Sequence, residues 1–117
     1  MNEIVYVLIN EAMPGYVKIG ITTNLEQRIR SLDTTSVPLP FEVFYAATVK
    51  DSKFIEKQIF EAFLDKRVRS SREFFQISPE QAVAIIKLVE IKNVTPKQDF
   101  VETQEDQKAL NEARTRR

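Results

Sequence analysis

The chain of 117 residues contains no cysteine and no histidine. Without cysteine there is no disulfide framework, no thiolate nucleophile and no Cys-ligated zinc. Without histidine, Ser-His-Asp and Cys-His catalysis are excluded, together with His-ligated metals and the usual general base near neutral pH. Any catalysis falls to Tyr, Lys, Arg, Asp or Glu. Any metal is held by oxygen, which favours Mg²⁺, Mn²⁺ or Ca²⁺. An excess of one charge is missing too, because 17 basic and 17 acidic residues cancel. That balance argues against a protein that grips nucleic acid by bulk charge alone. No apolar run approaches the ~20 residues that span a bilayer. The start, Met1-Asn2-Glu3, lacks the basic and apolar segments of a secretory signal. The expectation is a cytoplasmic protein with no membrane partner.

What is present supports one folded unit. The hydrophobic share is 43%, too high for a disordered chain. Residues 4–9, Ile-Val-Tyr-Val-Leu-Ile, form a continuous β-branched and aromatic run, the mark of a strand buried on both faces. Pro14-Gly15 marks a turn, and residues 16–21, Tyr-Val-Lys-Ile-Gly-Ile, supply a second strand that closes a hairpin. A helix follows, with Thr23 and Glu26 fitting a capping box. Leu25, Ile29 and Leu32 make one apolar stripe along it. Pro38 and Pro40 force an extended connector, and residues 41–49 make a third strand.

Asp51 or Ser52 caps a second helix. Its apolar positions are Ile55, Ile59, Ala62 and Phe63, and its expected end lies near Asp65. Ser78-Pro79-Glu80-Gln81 is a strong start for a third helix, whose apolar face is Ala82, Ile85, Ile86 and Val89. The order β-β-α-β-α-loop-α describes a mixed α/β (α+β) layer with helices packed on a small sheet. Composition shifts after Lys92. Residues 1–92 therefore read as the folded domain. Residues 93–117 read as a polar, charged tail that is either a solvated helix or an arm ordered by a partner.

Several residues stand out chemically. Lys18 lies between Val17 and Ile19, an odd place for an ammonium. It either points to solvent from a half-exposed strand or enters a cleft beside the Tyr6 hydroxyl, where it would suit phosphate binding or proton transfer. Arg28 sits beside the apolar stripe of the first helix. It either lays its stem over the core edge or reaches the sheet as a bidentate phosphate clamp, whereas Arg30 is an ordinary surface arginine. Glu73, between Arg72 and Phe74-Phe75, is either a local ion-pair partner or a lone oxygen ligand for Mg²⁺, which needs only one or two carboxylates. Lys66, Arg67, Arg69 and Arg72 put four cations beside it, as a solvated loop or as phosphate contacts.

In order and spacing, Val5-Tyr6-Val7, Lys18-Ile19-Gly20, Thr22-Thr23-Asn24-Leu25 with Arg28, and Glu73-Phe74-Phe75 resemble the GIY-YIG endonuclease superfamily, most closely its phage-type subgroup. The resemblance covers roughly residues 3–90 and leaves the tail outside. It implies a three-stranded antiparallel sheet flanked by helices, and hydrolysis of a DNA phosphodiester with one divalent cation, Mg²⁺ or Mn²⁺. It implies Tyr6 as the group that orients or deprotonates water and Lys18 as a charge stabiliser. Gly20 would permit close backbone approach, Arg28 would bind the scissile phosphate, and Glu73 would be the metal ligand. Two positions depart from the pattern. Ile4 precedes Val5-Tyr6 where relatives carry glycine, and Phe60 stands where the subgroup often has histidine. The second departure keeps open a weakly active or inactive nucleic-acid-binding module, and a small phage or host protein-interaction factor is a third possibility. A homodimer or a separate targeting partner is expected, because the chain has little room for a targeting domain.

Overall fold

The computed structural model describes residues 3–68, 73–101 and 103–116. Strand β1 (Glu3–Ile9) pairs antiparallel with β2 (Val17–Thr22) and with β3 (Glu42–Val49). Two short strands widen the sheet. β4 (Phe74–Phe75) adds to β2, and β5 (Glu90–Asn93) adds to β3, giving the order β4-β2-β1-β3-β5. The sheet thus has five antiparallel strands rather than three. The two additions hold two and four residues, too few to show alternation in a sequence.

β1 is the centre of the molecule, and its two faces serve two cores, as a period of two requires. Val5 and Val7 join Val17, Ile19, Ala47 and Val49 on one face, packed under helices α2 (Ser52–Ala62) and α3 (Pro79–Val89). Ile4, Tyr6 and Leu8 face the other way, where Leu25 and Ile29 of helix α1 (Leu25–Leu32) cover them.

Local chemistry explains the helix ends. Asn24, not Thr23, caps α1, because its side chain accepts from the Gln27 amide at 3.1 Å. Thr22 Oγ1 accepts from the Asn24 amide and holds that cap in place. Asp51 caps α2 through the Phe54 amide, also at 3.1 Å. α2 stops at Ala62, earlier than expected, and passes into a 3₁₀ turn, Leu64–Lys66. Ala62 is exposed, and α2 is anchored by Ile55 and Ile59. On α3, Gln81 Oε1 accepts from the Ser78 amide at 3.0 Å, with Pro79 opening the helix as expected. Its buried residues are Ala82, Val83 and Ile86, while Val89 is exposed because the chain there turns into β5.

Residues beyond Lys92 do not stand apart from the core. α4 (Gln104–Thr115) is a helix, but it is not solvated all round: Leu110 is fully buried. Arg114 of α4 pairs with Glu42 of β3 and with Asp99 at 2.8 Å. Val94 donates its amide to Ala46 O at 2.8 Å, and Thr95 Oγ1 accepts from the Ala46 amide at 2.9 Å. Among the described residues, no helix is long and apolar enough to cross a membrane.

Candidate active site

Tyr6 and Gly20 face each other across β1 and β2. A Cβ at Gly20 would land 2.6 Å from Tyr6 Cζ. Glycine is therefore needed here to admit the phenol ring, and Gly20 acts by making room for Tyr6. The ring is fully buried, and its hydroxyl accepts a hydrogen bond from Arg28 Nε at 3.2 Å. Arg28 can reach it because Leu25 and Ile29 fix the facing side of α1 against β1. Burial raises the Tyr6 pKa above the ordinary phenol value, and Arg28 only partly opposes it, so the hydroxyl stays neutral near pH 7.

Two residues before Gly20, on the same face of β2, lies Lys18. Its side chain is only 11% exposed, so it does not point to bulk solvent. Nζ meets Glu73 Oε2 at 3.2 Å and lies 5.1 Å from the centroid of the Phe74 ring. Glu73 is positioned by the sheet itself: its carbonyl accepts from the Ile19 amide at 3.0 Å, which lays this residue along the edge of β2. Lys18 and Glu73 thus pair with each other, a contact that neither residue's sequence reading named.

The structure therefore brings Tyr6, Lys18, Arg28 and Glu73 into one electrostatic group. The Glu73 charge acts on both Tyr6 and Arg28. The sequence reading missed a fifth member, Glu56 of α2. Its Oε2 is buried and has no hydrogen-bond partner. Burial raises its pKa first, Glu73 adds to the rise, and Arg67 and Lys18 oppose it.

Phe60, one turn beyond Glu56, packs on Phe75 at a ring separation of 5.2 Å. The Arg67 guanidinium lies 4.5 Å from the Phe60 centroid, a cation–π distance. Position 60 thus holds an aromatic platform with no titratable atom. Lys66, by contrast, lines a separate cleft with Tyr16 and Gln76. Of the four expected phosphate contacts, Lys66 lines that cleft, Arg67 lies over Phe60, and Arg69 and Arg72 lie outside the described residues.

A family model, the T5orf172 domain, matches residues 3–90, which include all five residues of this group. The chain belongs to the T5orf172 domain family. T5orf172 domains are found in phage proteins and in endonuclease-associated proteins, which supports a nuclease-related or DNA-binding role. A search of curated proteins and a search of solved structures gave no match. The T5orf172 match ends at residue 90, so β5 beyond its first residue and all of α4 are outside it.

The carboxylates are few. Among the described residues, no group of three or more acidic side chains is placed to hold a metal. Mg²⁺ does not require one, because it keeps most of its waters and takes one or two carboxylates. Glu73 is one such carboxylate, and its charge acts on the Glu56 carboxyl.

Proposed function

We propose that this T5orf172 domain is a divalent-metal-dependent DNA endonuclease of the GIY-YIG type. The observation that carries the proposal is the convergence of Tyr6, Lys18, Arg28 and Glu73 at the β2 side of the sheet, with Gly20 opened for Tyr6. A phenol, an ammonium, a guanidinium and a carboxylate in one group suit phosphodiester hydrolysis and need neither histidine nor cysteine.

In this mechanism a water oxygen attacks phosphorus, the bond to the leaving oxygen breaks, and the proton that the water gives up passes through solvent to the departing oxygen. Tyr6 accepts from Arg28 and retains a lone pair for the attacking water. Because its pKa is raised, Tyr6 orients that water rather than stripping it as a standing phenolate. Arg28 reaches Tyr6 through Nε, so its terminal nitrogens are the ones to meet the phosphate oxygens. Lys18 balances negative charge as it develops. Glu73 would hold Mg²⁺ or Mn²⁺, and the bound cation would supply charge neutralisation at the phosphate.

The test is conversion of supercoiled plasmid to nicked or linear product with Mg²⁺ or Mn²⁺. Product is expected with metal, none with chelator, and none with Arg28→Ala. A product that forms equally in chelator would overturn the metal-dependent chemistry.

A second reading, a nucleic-acid-binding module without catalysis, is favoured by Phe60. An aromatic platform under Arg67 can stack a base but cannot move a proton. That reading requires salt-sensitive retardation of DNA with no metal-dependent product.

A further inference from the structure

A cleft of about 690 Å³ opens at the turn end of β1 and β2, beside the candidate active site but not part of it. Its size lies within the roughly 300–1,000 Å³ of sites that hold small ligands. Its walls come from the β1–β2 loop (Glu11, Met13, Tyr16), from Lys66, and from Gln76 and the first turn of α3 (Gln81).

The loop is built to present Tyr16 rigidly. Pro14 and Gly15 occupy the centre of a turn closed by the Tyr16 amide on Met13 O at 3.3 Å. Gly15 has φ +87°, the left-handed value that a type II turn demands at its third position. Asn10 braces the approach, accepting from the Ala12 amide at 2.9 Å and donating to Leu39 O at 2.8 Å. Tyr16 emerges 38% exposed, an aromatic face offered to the cleft at little conformational cost.

Tyr16 lies two residues before Lys18, just ahead of the first residue of β2. That is a span of about 7 Å, near two base-step rises of DNA. One wall of the cleft is thus joined to Lys18 by two residues of chain. Its chemistry fits a nucleotide. Tyr16 provides a stacking surface, Lys66 a cation for a phosphate, and Gln76 and Gln81 amides for a base edge. Glu11, from the same loop as Tyr16, repels a phosphate, which leaves Lys66 as the phosphate's partner.

Resting on the endonuclease reading, we propose that this cleft takes an unpaired nucleotide of the DNA strand that is cut, with its base on Tyr16 and its phosphate at Lys66. A paired base is stacked between neighbours and cannot lie on a side chain, so the substrate class is DNA with an unpaired or displaced nucleotide near the scissile bond.

The experiment is fluorescence anisotropy with two labelled oligonucleotide duplexes, one fully paired and one carrying a single unpaired nucleotide. Wild type, Tyr16→Ala, Tyr16→Phe and Lys66→Gln are compared, each first checked for native circular dichroism. Wild type is expected to bind the bulged duplex more tightly. Tyr16→Ala should weaken bulged-duplex binding roughly tenfold and leave the paired duplex nearly unchanged. Tyr16→Phe should retain affinity, and Lys66→Gln should weaken binding and lessen its salt dependence. Wild-type binding that Tyr16→Ala leaves unaltered, or weakens equally on both duplexes, overturns the nucleotide subsite while leaving the endonuclease reading intact. Wild-type protein that binds neither duplex overturns both.

Discussion

At the scale of single residues, the pair Tyr6 and Gly20 shows how one position can be selected by another. The glycine has an ordinary strand conformation; what it provides is the absence of a Cβ where a phenol must pass. Gly20→Ala should cost about 1–3 kcal/mol, the range for overpacking a core, and should displace the Tyr6 hydroxyl from Arg28. Urea denaturation reads the first effect and plasmid nicking the second. A variant as stable and as active as wild type would show that Tyr6 tolerates another position.

Glu56 argues in the opposite direction, because it is retained where it costs stability. Its pKa is raised above the ordinary 4.5, with burial as the main cause. A carboxyl raised by folding destabilises the fold when ionised. The penalty is absent below the unfolded value and complete above the folded value. Stability should therefore rise as pH falls from neutral through the window above 4.5, and Glu42, raised chiefly by burial, acts in the same direction. Glu56→Gln should melt higher than wild type near neutral pH, gain less on acidification, and cleave more slowly if Glu56 helps hold the metal. A lower melting temperature near neutral pH would mean that Lys18 and Arg67 need the Glu56 charge more than burial penalises it.

Among the secondary-structure elements, what could be read from the sequence follows from element length and from pairing. β1 was legible because six successive apolar, largely β-branched positions bounded by turn signals read as a strand buried on both sides. α3 was legible because Ser78, Pro79 and Gln81 carry their own start signal. β4 and β5 were not, because two to four residues have no measurable period and owe their state to the edges they meet. The helical register of α4 was visible, but its docking was not. Only Leu110 and Ala113 of that helix are buried, and the ion pairs of Arg114 join residues far apart in sequence. Leu110→Ala tests that docking. A loss of about 2–5 kcal/mol in chemical denaturation is expected for a leucine buried this completely. A loss below about 0.5 kcal/mol would return α4 to the status of a surface appendage.

For the molecule as a whole, the candidate site is assembled across the topology. Tyr6 comes from the central strand, Lys18 and Gly20 from its neighbour, Arg28 from the helix on one face, Glu56 from a helix on the other, and Glu73 from the edge. The sequence revealed the residue types and their order. It did not reveal Glu56, because a half-buried carboxylate on an amphipathic helix looks like any other polar position until the strands beneath it are known. Nor did it show that Lys66 lines a cleft while Arg67 lies over Phe60, which depends on the 3₁₀ turn after α2. The zero net charge also has a consequence at this scale. Long-range attraction to DNA is weak, so affinity must come from the local cations and the cleft rather than from the field of the whole protein.

The most direct test of the central claim is the single-turnover rate of plasmid nicking by Glu73→Ala in Mg²⁺, measured beside its circular dichroism and its DNA affinity. The expected result is a native spectrum, retained binding and a nicking rate lowered to background. A folded Glu73→Ala protein that nicks at the wild-type rate would contradict the assignment of this residue group as the active site.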